Sequence, residues 1–123
     1  MSLEIVIDAR NPYGLAHFWA AALPGYHVRA YDDAEITRLA SLGLTPETDI
    51  SVPIEANERP TIWFQKSDQA TNARNRIHFD LKFDVRHSEA MRLQKLGASV
   101  QHERDDHIVM LDPEGNQFCL FDP

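Results

Sequence analysis

The residues best suited to chemistry lie on one alternating stretch, RIHFDLKFD, at positions 76–84. Apolar and polar side chains alternate along it, which predicts a β-strand with one face buried. His78 and Asp80 fall on the other, polar face. A strand that faces only water has no need of a histidine, whereas a strand that lines a ligand cleft can use one. The stretch therefore raises the question of what its polar face contacts.

Common catalytic motifs do not answer that question. The sequence contains no serine in a G-x-S-x-G turn, no glycine-rich phosphate loop, no H-E-x-x-H and no C-x-x-C. Asp105 and Asp106 form a carboxylate pair, but they fall in a predicted turn where solvation accounts for them. The single cysteine, Cys119, cannot form an internal disulfide, which predicts a reduced, cytoplasmic setting.

Size and charge narrow the classes of partner. The chain has 123 residues, the usual size of one domain, and a hydrophobic fraction of 43% can form a core. Its formal net charge of −7 argues against nucleic acid and against an anionic membrane surface. No apolar stretch approaches the roughly 20 residues that span a bilayer, and the N-terminus lacks a signal-peptide pattern. We therefore expect neither nucleic acid nor a membrane as the partner.

The elements that must position these residues follow a repeated order. In the first half, Asn11 and Pro12 predict the start of a helix, and the segment 44–60, with three prolines, predicts a loop. In the second half, DPEGN at 112–116 predicts a tight turn with its glycine in the left-handed region. The predicted elements are strand 3–9, helix 11–23, strand 26–30, helix 32–43, strand 61–66, linker 67–75, strand 76–84, helix 86–97, and strands 98–104, 107–111 and 117–121.

The two halves also agree in register. Aligning EIVIDA with HFDLKF places Glu4 at the position of His78, and aligning PTIWFQ with NQFCLF places Trp63 at the position of Cys119. The apolar and polar faces match in both alignments. The agreement indicates an internal repeat of the form β-α-β-β-β.

Several strings resemble one superfamily. FWAAALPGY follows the first helix, and NRIHFDL, ERDDHIVMLDPEGN and QFCLFDP carry most of the likeness. Together with the repeat, they resemble the vicinal-oxygen-chelate superfamily of glyoxalase I, extradiol dioxygenases and bleomycin-resistance proteins, in its small glyoxalase-like branch. The resemblance implies an α+β fold in which two βαβββ modules, residues 1–66 and 76–123, form one domain over 1–123. It further implies curled mixed sheets around a cleft, helices outside, and a homodimer.

The resemblance also implies where a metal would bind. Its ligands come from the first and last strands of the modules, which here offer Glu4, Trp63, His78 and Cys119. Tryptophan has no lone pair for a metal, and cysteine replaces the usual glutamate. Only Glu4, His78 and Cys119 could serve, which is an incomplete set. We therefore expect no cofactor, with a divalent metal left as an open alternative.

Three functions fit these observations. The first is binding of a small organic molecule in the cleft between the modules without a complete metal site. The second is a metal-dependent lyase, isomerase or dioxygenase of the glyoxalase type, and the third is a protein-interaction module with a vestigial cleft. His78 and Glu4 could instead form a simple hydrogen-bonded pair. Cys119 could instead be a small buried apolar residue. The predicted ligand-binding residues are Glu4, Trp63, Gln65, His78, Asp80 and Cys119.

Overall fold

The computed structural model describes residues 3–68 and 79–122, and the chain divides into two compact units between residues 68 and 69. We call these units the first and the second module. The expected α+β fold with two repeated modules is confirmed. Most of the predicted linker 67–75, the first part of the predicted strand 76–84, and with it His78, lie outside the described residues.

The first module is a four-stranded sheet with two α-helices. The sheet order is β1-β4-β3-β2, in which β1 runs parallel to β4 and the other neighbours are antiparallel. The elements are β1 (Glu4–Ala9), α1 (Pro12–Ala22), β2 (His27–Val28), α2 (Asp33–Ser41), a 3-10 turn (Pro46–Thr48), β3 (Ser51–Glu55) and β4 (Thr61–Lys66).

The second module repeats this plan with a single described helix. Its sheet order is β5-β8-β7-β6, again with the first strand parallel to the last. The elements are β5 (Phe79–Lys82), α3 (Arg86–Lys95), β6 (Ser99–Glu103), β7 (His107–Leu111) and β8 (Gln117–Phe121). The modules differ mainly between their second and third strands. There the first module inserts α2 and the 3-10 turn, whereas the second has only a short turn.

Helix α1 covers one face of the first sheet, as the sequence predicts. The Asn11 side chain accepts the N–H of Gly14 at 3.1 Å, and Pro12 supplies its fixed φ at the first helical position. Trp19, on this helix, is only 2% exposed. The strand side chains on the same side are buried as well, including Val52, Ile54, Ile62 and Phe64. Because α1 occupies this face, the opposite face of the sheet is left for other contacts.

The prediction of a loop over residues 44–60 is wrong for Ser51–Glu55, which form β3 inside the sheet. Pro53 made a strand improbable because proline cannot donate a ladder hydrogen bond. Its carbonyl accepts the N–H of Arg29, so its missing donor also points toward β2 rather than β4. The pairing of β2 with β3 ends at Val28 and Ile54, one position short of Arg29 and Pro53. The proline therefore removes no hydrogen bond between β3 and β4.

The turn that joins β7 to β8 is the one that the sequence predicts. Gly115 has a φ of 85°, and the N–H of Gly115 donates to the carbonyl of Asp112. The Asp112 carboxylate is buried and accepts the N–H groups of Glu114 and Asn116 at 2.9 Å each.

In the described parts of the chain, no helix has the length and apolar character needed to cross a bilayer.

Candidate functional site in the first module

The strand faces follow the alternation seen in the sequence. In β4, Ile62 and Phe64 are buried on the α1 side, so Trp63 and Gln65 lie on the opposite face. Trp63 is half-buried there, next to Val6 of β1 in the parallel register, and Gln65 is exposed. Glu4, on the same side of β1 as Val6, is exposed too. We call this side the open face of the first sheet.

The second sheet has a matching open face. Asp80 lies opposite Cys119 in the parallel register of β5 and β8, as Val6 lies opposite Trp63. Asp80 is exposed and Cys119 is half-buried. This agrees with the alignment of Trp63 on Cys119. That residues of both modules share one cavity stays a prediction, as does the role of His78.

The first module has a cavity on its open face. It measures about 430 Å³ and is bounded by the sheet, by α2 and by the segment that leads from α2 to β3. Trp63 and Pro53 form its sheet side, and Leu39 of α2 lies across from them. The cavity depends on the insertion between β2 and β3. This insertion has no counterpart in the second module, where only residues 104–106 join β6 to β7.

A cation lies over the aromatic wall of this cavity. The guanidinium carbon of Arg29 is 5.1 Å from the centroid of the Trp63 ring, within the range of a cation–π contact. Nε of Arg29 donates to Oε1 of Glu55 at 2.7 Å. That hydrogen bond lowers the pKa of Glu55 and raises the pKa of Arg29. Arg29, directly after β2, thus forms a row with Pro53 of β3 and Trp63 of β4.

A hydrogen-bonded pair forms another part of the wall. The hydroxyl of Tyr31 donates to Oδ2 of Asp49 at 2.8 Å, and the N–H of Ser51 donates to Oδ1 at 3.2 Å. Asp49 is only 6% exposed. Burial raises the pKa of the Tyr31 hydroxyl, and the hydrogen bond to the Asp49 carboxylate raises it further. Tyr31 is therefore a neutral donor that holds a buried carboxylate in place.

Helix α2 adds charges that are already paired. Asp32 caps the helix by accepting the N–H of Glu35 at 2.8 Å. Arg38 donates to both carboxylate oxygens of Glu35, at 2.6 and 3.2 Å. The cavity wall thus mixes apolar side chains with polar groups of fixed orientation.

Most of these cavity residues were missed by the sequence reading. Trp63 was predicted to bind a ligand, but Arg29, Tyr31, Asp49 and Pro53 were not. Asp49 and Pro53 lie in the segment predicted as loop, which has no period to assign its side chains to a face. Arg29 lies in the predicted strand 26–30 and Tyr31 directly after it, but that strand is too short for alternation to identify its faces. One signal was available, namely the length of this segment compared with the turn at the matching place in the second half.

The described residues do not fit a metal site of the kind that the fold implies. Among the side chains of 3–68 and 79–122, no three of the types histidine, cysteine, aspartate and glutamate are grouped closely enough to hold an ion. At the centre of the open face of the first sheet, the side chains of Val6 and Trp63 offer no lone pair to a metal. Burial, and then the charge of Asp80, raise the pKa of the Cys119 thiol, which disfavours the thiolate that metals bind. We derive no chemical step through a metal.

Solved structures share this fold along almost the whole chain. Hypothetical protein SA1046 from S. aureus superposes with a TM-score of 0.65 at 13% identity, covering 100% of this chain and 97% of its own. The fosfomycin resistance protein FosX from Mesorhizobium loti gives 0.65 at 14% identity, with coverages of 98% and 90%. A glyoxalase/bleomycin resistance/dioxygenase family enzyme from Burkholderia phytofirmans PsJN gives 0.63 at 14% identity, with 97% and 95%. At such identities the likeness shows the fold alone.

Sequence comparison identifies the family. No curated protein matches the chain. The family model of the glyoxalase-like domain does match, over residues 4–121, which is nearly the whole sequence. The chain therefore belongs to the glyoxalase-like domain family, in the superfamily that its strand motifs resemble.

Proposed function

We propose that this protein binds a small organic molecule, and that the cavity on the open face of the first module is the binding site. The observation that carries the proposal is Trp63, half-buried at the wall of a cavity of about 430 Å³. A tryptophan on the strand face away from α1, at the wall of a cavity, exposes apolar surface that a bound ligand would cover.

The size and chemistry of the cavity support this proposal. Ligand sites are typically concave, about 300–1,000 Å³ in volume, and apolar with a few placed polar groups. Leu39, Pro53 and Trp63 supply apolar contacts here, and Tyr31 and Asp49 supply oriented polar atoms. Stacking on Trp63 would add about 0.5–1.5 kcal/mol beyond the area buried. The names of two structural neighbours include resistance to fosfomycin or bleomycin, which accords with small-molecule binding.

The binding experiment uses the two tryptophans of the chain. In a Trp19→Phe background, Trp63 is the only indole, so its fluorescence reports directly on the cavity. A library of small aromatic and aliphatic acids, amines and alcohols is titrated, with thermal shift as a second readout. We expect at least one compound to change the Trp63 emission and to raise the melting temperature.

The control for this experiment separates the cavity from the fold. Trp63→Leu in the wild-type background should abolish the thermal shift while the protein stays folded by circular dichroism. Cys119→Ala, at the matching position of the second module, should leave the shift unchanged. If no compound binds, or if binding survives Trp63→Leu and fails with Cys119→Ala, the proposed site is wrong.

A metal-dependent reaction is the competing function, and metal content discriminates the two. We propose that the purified protein holds well below one equivalent of zinc, nickel, iron or manganese, because Trp63 stands where a ligand would be needed. Near-stoichiometric metal that is lost in both Glu4→Ala and His78→Ala would instead support the enzyme. The homodimer that the resemblance implies is likewise a proposal, which light scattering of the purified protein tests.

A further inference from the structure

We propose that the ligand of the first-module cavity is an organic cation with an apolar body, and that Arg29 occupies the place that its cationic group takes. The inference rests on the proposed function and names the class of ligand for that site. Its starting point is that the aromatic wall already carries a positive charge, the guanidinium of Arg29 at 5.1 Å from the Trp63 ring centroid.

The contact between Arg29 and Trp63 shows what the ring face attracts. The face of an indole is electron-rich, and tryptophan is the strongest aromatic partner for a cation. Arg29 is held there by Glu55, but the two side chains are 47% and 35% exposed. An ion pair so accessible to water contributes little to stability, so moving Arg29 aside costs little. A ligand cation could therefore replace the guanidinium over the ring and interact with Glu55 in its stead.

The charges around the cavity favour a cation over an anion. Its lining contains three carboxylates, and only two guanidiniums oppose them, those of Arg29 and Arg38. Arg38 donates to Glu35 through Nε and Nη2, and Arg29 donates through Nε to Glu55, which adds a further carboxylate beside the wall. The three lining carboxylates are Asp32, Glu35 and Asp49. An anion would thus meet an excess of carboxylates and two arginines that are each already paired with a carboxylate.

Asp49 gives this negative charge a fixed place. Its carboxylate is buried and oriented by the Tyr31 hydroxyl and the N–H of Ser51. A buried charge attracts an opposite charge more strongly than an exposed one, because water screens it less. Leu44 and Ile50, which also line the cavity, supply apolar surface for the body of the ligand.

The experiment compares three probes of similar shape and different charge. Phenyltrimethylammonium is the cation, tert-butylbenzene its neutral isostere, and benzenesulfonate the anion, each titrated into the Trp19→Phe protein and read by Trp63 emission. We expect the cation to bind about twofold to fivefold more tightly than the other two, the range of a cation–π contact at an exposed site.

Two variants with opposite expected signs test the role of Arg29. Arg29→Met exposes the ring and leaves Glu55 unpaired, so affinity for phenyltrimethylammonium should rise by about fivefold. Glu55→Gln removes a carboxylate and should lower the affinity for phenyltrimethylammonium. Arg59→Met is the matched control, since Arg59 lies 5.8 Å from the Tyr26 ring in the same module but outside the cavity lining. It makes the same change in net charge and should leave the affinity unchanged.

Each other outcome has a definite meaning. Preference for benzenesulfonate would make Arg29 an anion receptor and overturn the inference while the proposed function stands. Equal affinity for the three probes, or unchanged or weaker cation binding in Arg29→Met, would show that a ligand cation does not take the place of Arg29, and would overturn it in the same way. The same holds if none of the three probes binds but a library compound does so in a Trp63-dependent way. If neither the probes nor the library bind, the inference and the proposed function both fail.

Discussion

The hydroxyl of Tyr31 donates a hydrogen bond of 2.8 Å to the carboxylate of Asp49, 18 residues further along the chain. The pair joins the segment after β2 to the segment before β3, and both side chains line the first-module cavity. A neutral donor therefore faces a buried carboxylate, and the stability of this region should depend on Tyr31 keeping its proton.

Tyr31→Phe should lower the free energy of unfolding by about 1 kcal/mol at neutral pH, the usual loss for one hydrogen bond. Burial, then the hydrogen bond to Asp49, raise the pKa of Tyr31 in the folded protein above its ordinary value near 10. As pH rises, the unfolded chain thus releases this proton at a lower pH than the folded protein does. The stabilisation is therefore lost as pH rises above about 10. Urea unfolding of both proteins at pH 7.5 and pH 10.5 should show the difference shrinking. A difference that grows with pH would contradict this account.

Cys119 should react slowly with a thiol reagent such as Ellman's reagent at pH 7.5. Burial and the neighbouring Asp80 raise the pKa of its thiol, so little thiolate is present. Asp80→Asn should speed the reaction by about twofold to fivefold, the effect of one nearby charge in a partly water-exposed place. The urea-unfolded protein gives the reference rate. A folded rate equal to this reference would show that neither burial nor Asp80 protects the thiol.

Asp112→Ala should destabilise the second module by about 2–4 kcal/mol, because it leaves the N–H groups of Glu114 and Asn116 without their acceptor. Asp112→Asn keeps one oxygen at the same place and should recover part of the loss. Chemical denaturation of the three proteins measures this order. Equal stability of the alanine variant and the wild type would mean that water replaces the carboxylate without cost.

Leu39→Ala should release α2 while leaving most of the first module folded. Leu39 is the buried residue of this helix, and the rest of α2 is largely exposed. Hydrogen exchange should therefore accelerate over 33–41 far more than over 12–22, and ligand binding to the cavity should weaken. Leu93→Ala, in α3, is the contrasting variant. It should cost about 2–5 kcal/mol of global stability, because Leu93 lies fully buried in the second module. Equal exchange in both helices after Leu39→Ala would show that α2 is held by more than this side chain.

The sequence by itself determined most of the elements and the faces of the strands that it identified. Alternation placed Trp63 and Gln65 opposite Ile62 and Phe64, and an asparagine followed by proline marked the start of α1. These signals are local, since the period of a strand and the cap of a helix involve residues within a few positions of one another. The same locality explains why the repeat could be found from register alone.

Only the tertiary structure decided that β3 is a strand and that a cavity lies beside it. Pro53 is compatible with the sheet because β2 is too short to need the donor that proline lacks. This compatibility depends on the length of a neighbouring strand and not on the residues around the proline. Arg29 meets Trp63, and Tyr31 meets Asp49, because chain pairing brings distant segments together. A periodic pattern assigns a side chain to a face, but it carries no information about which distant side chain shares that face.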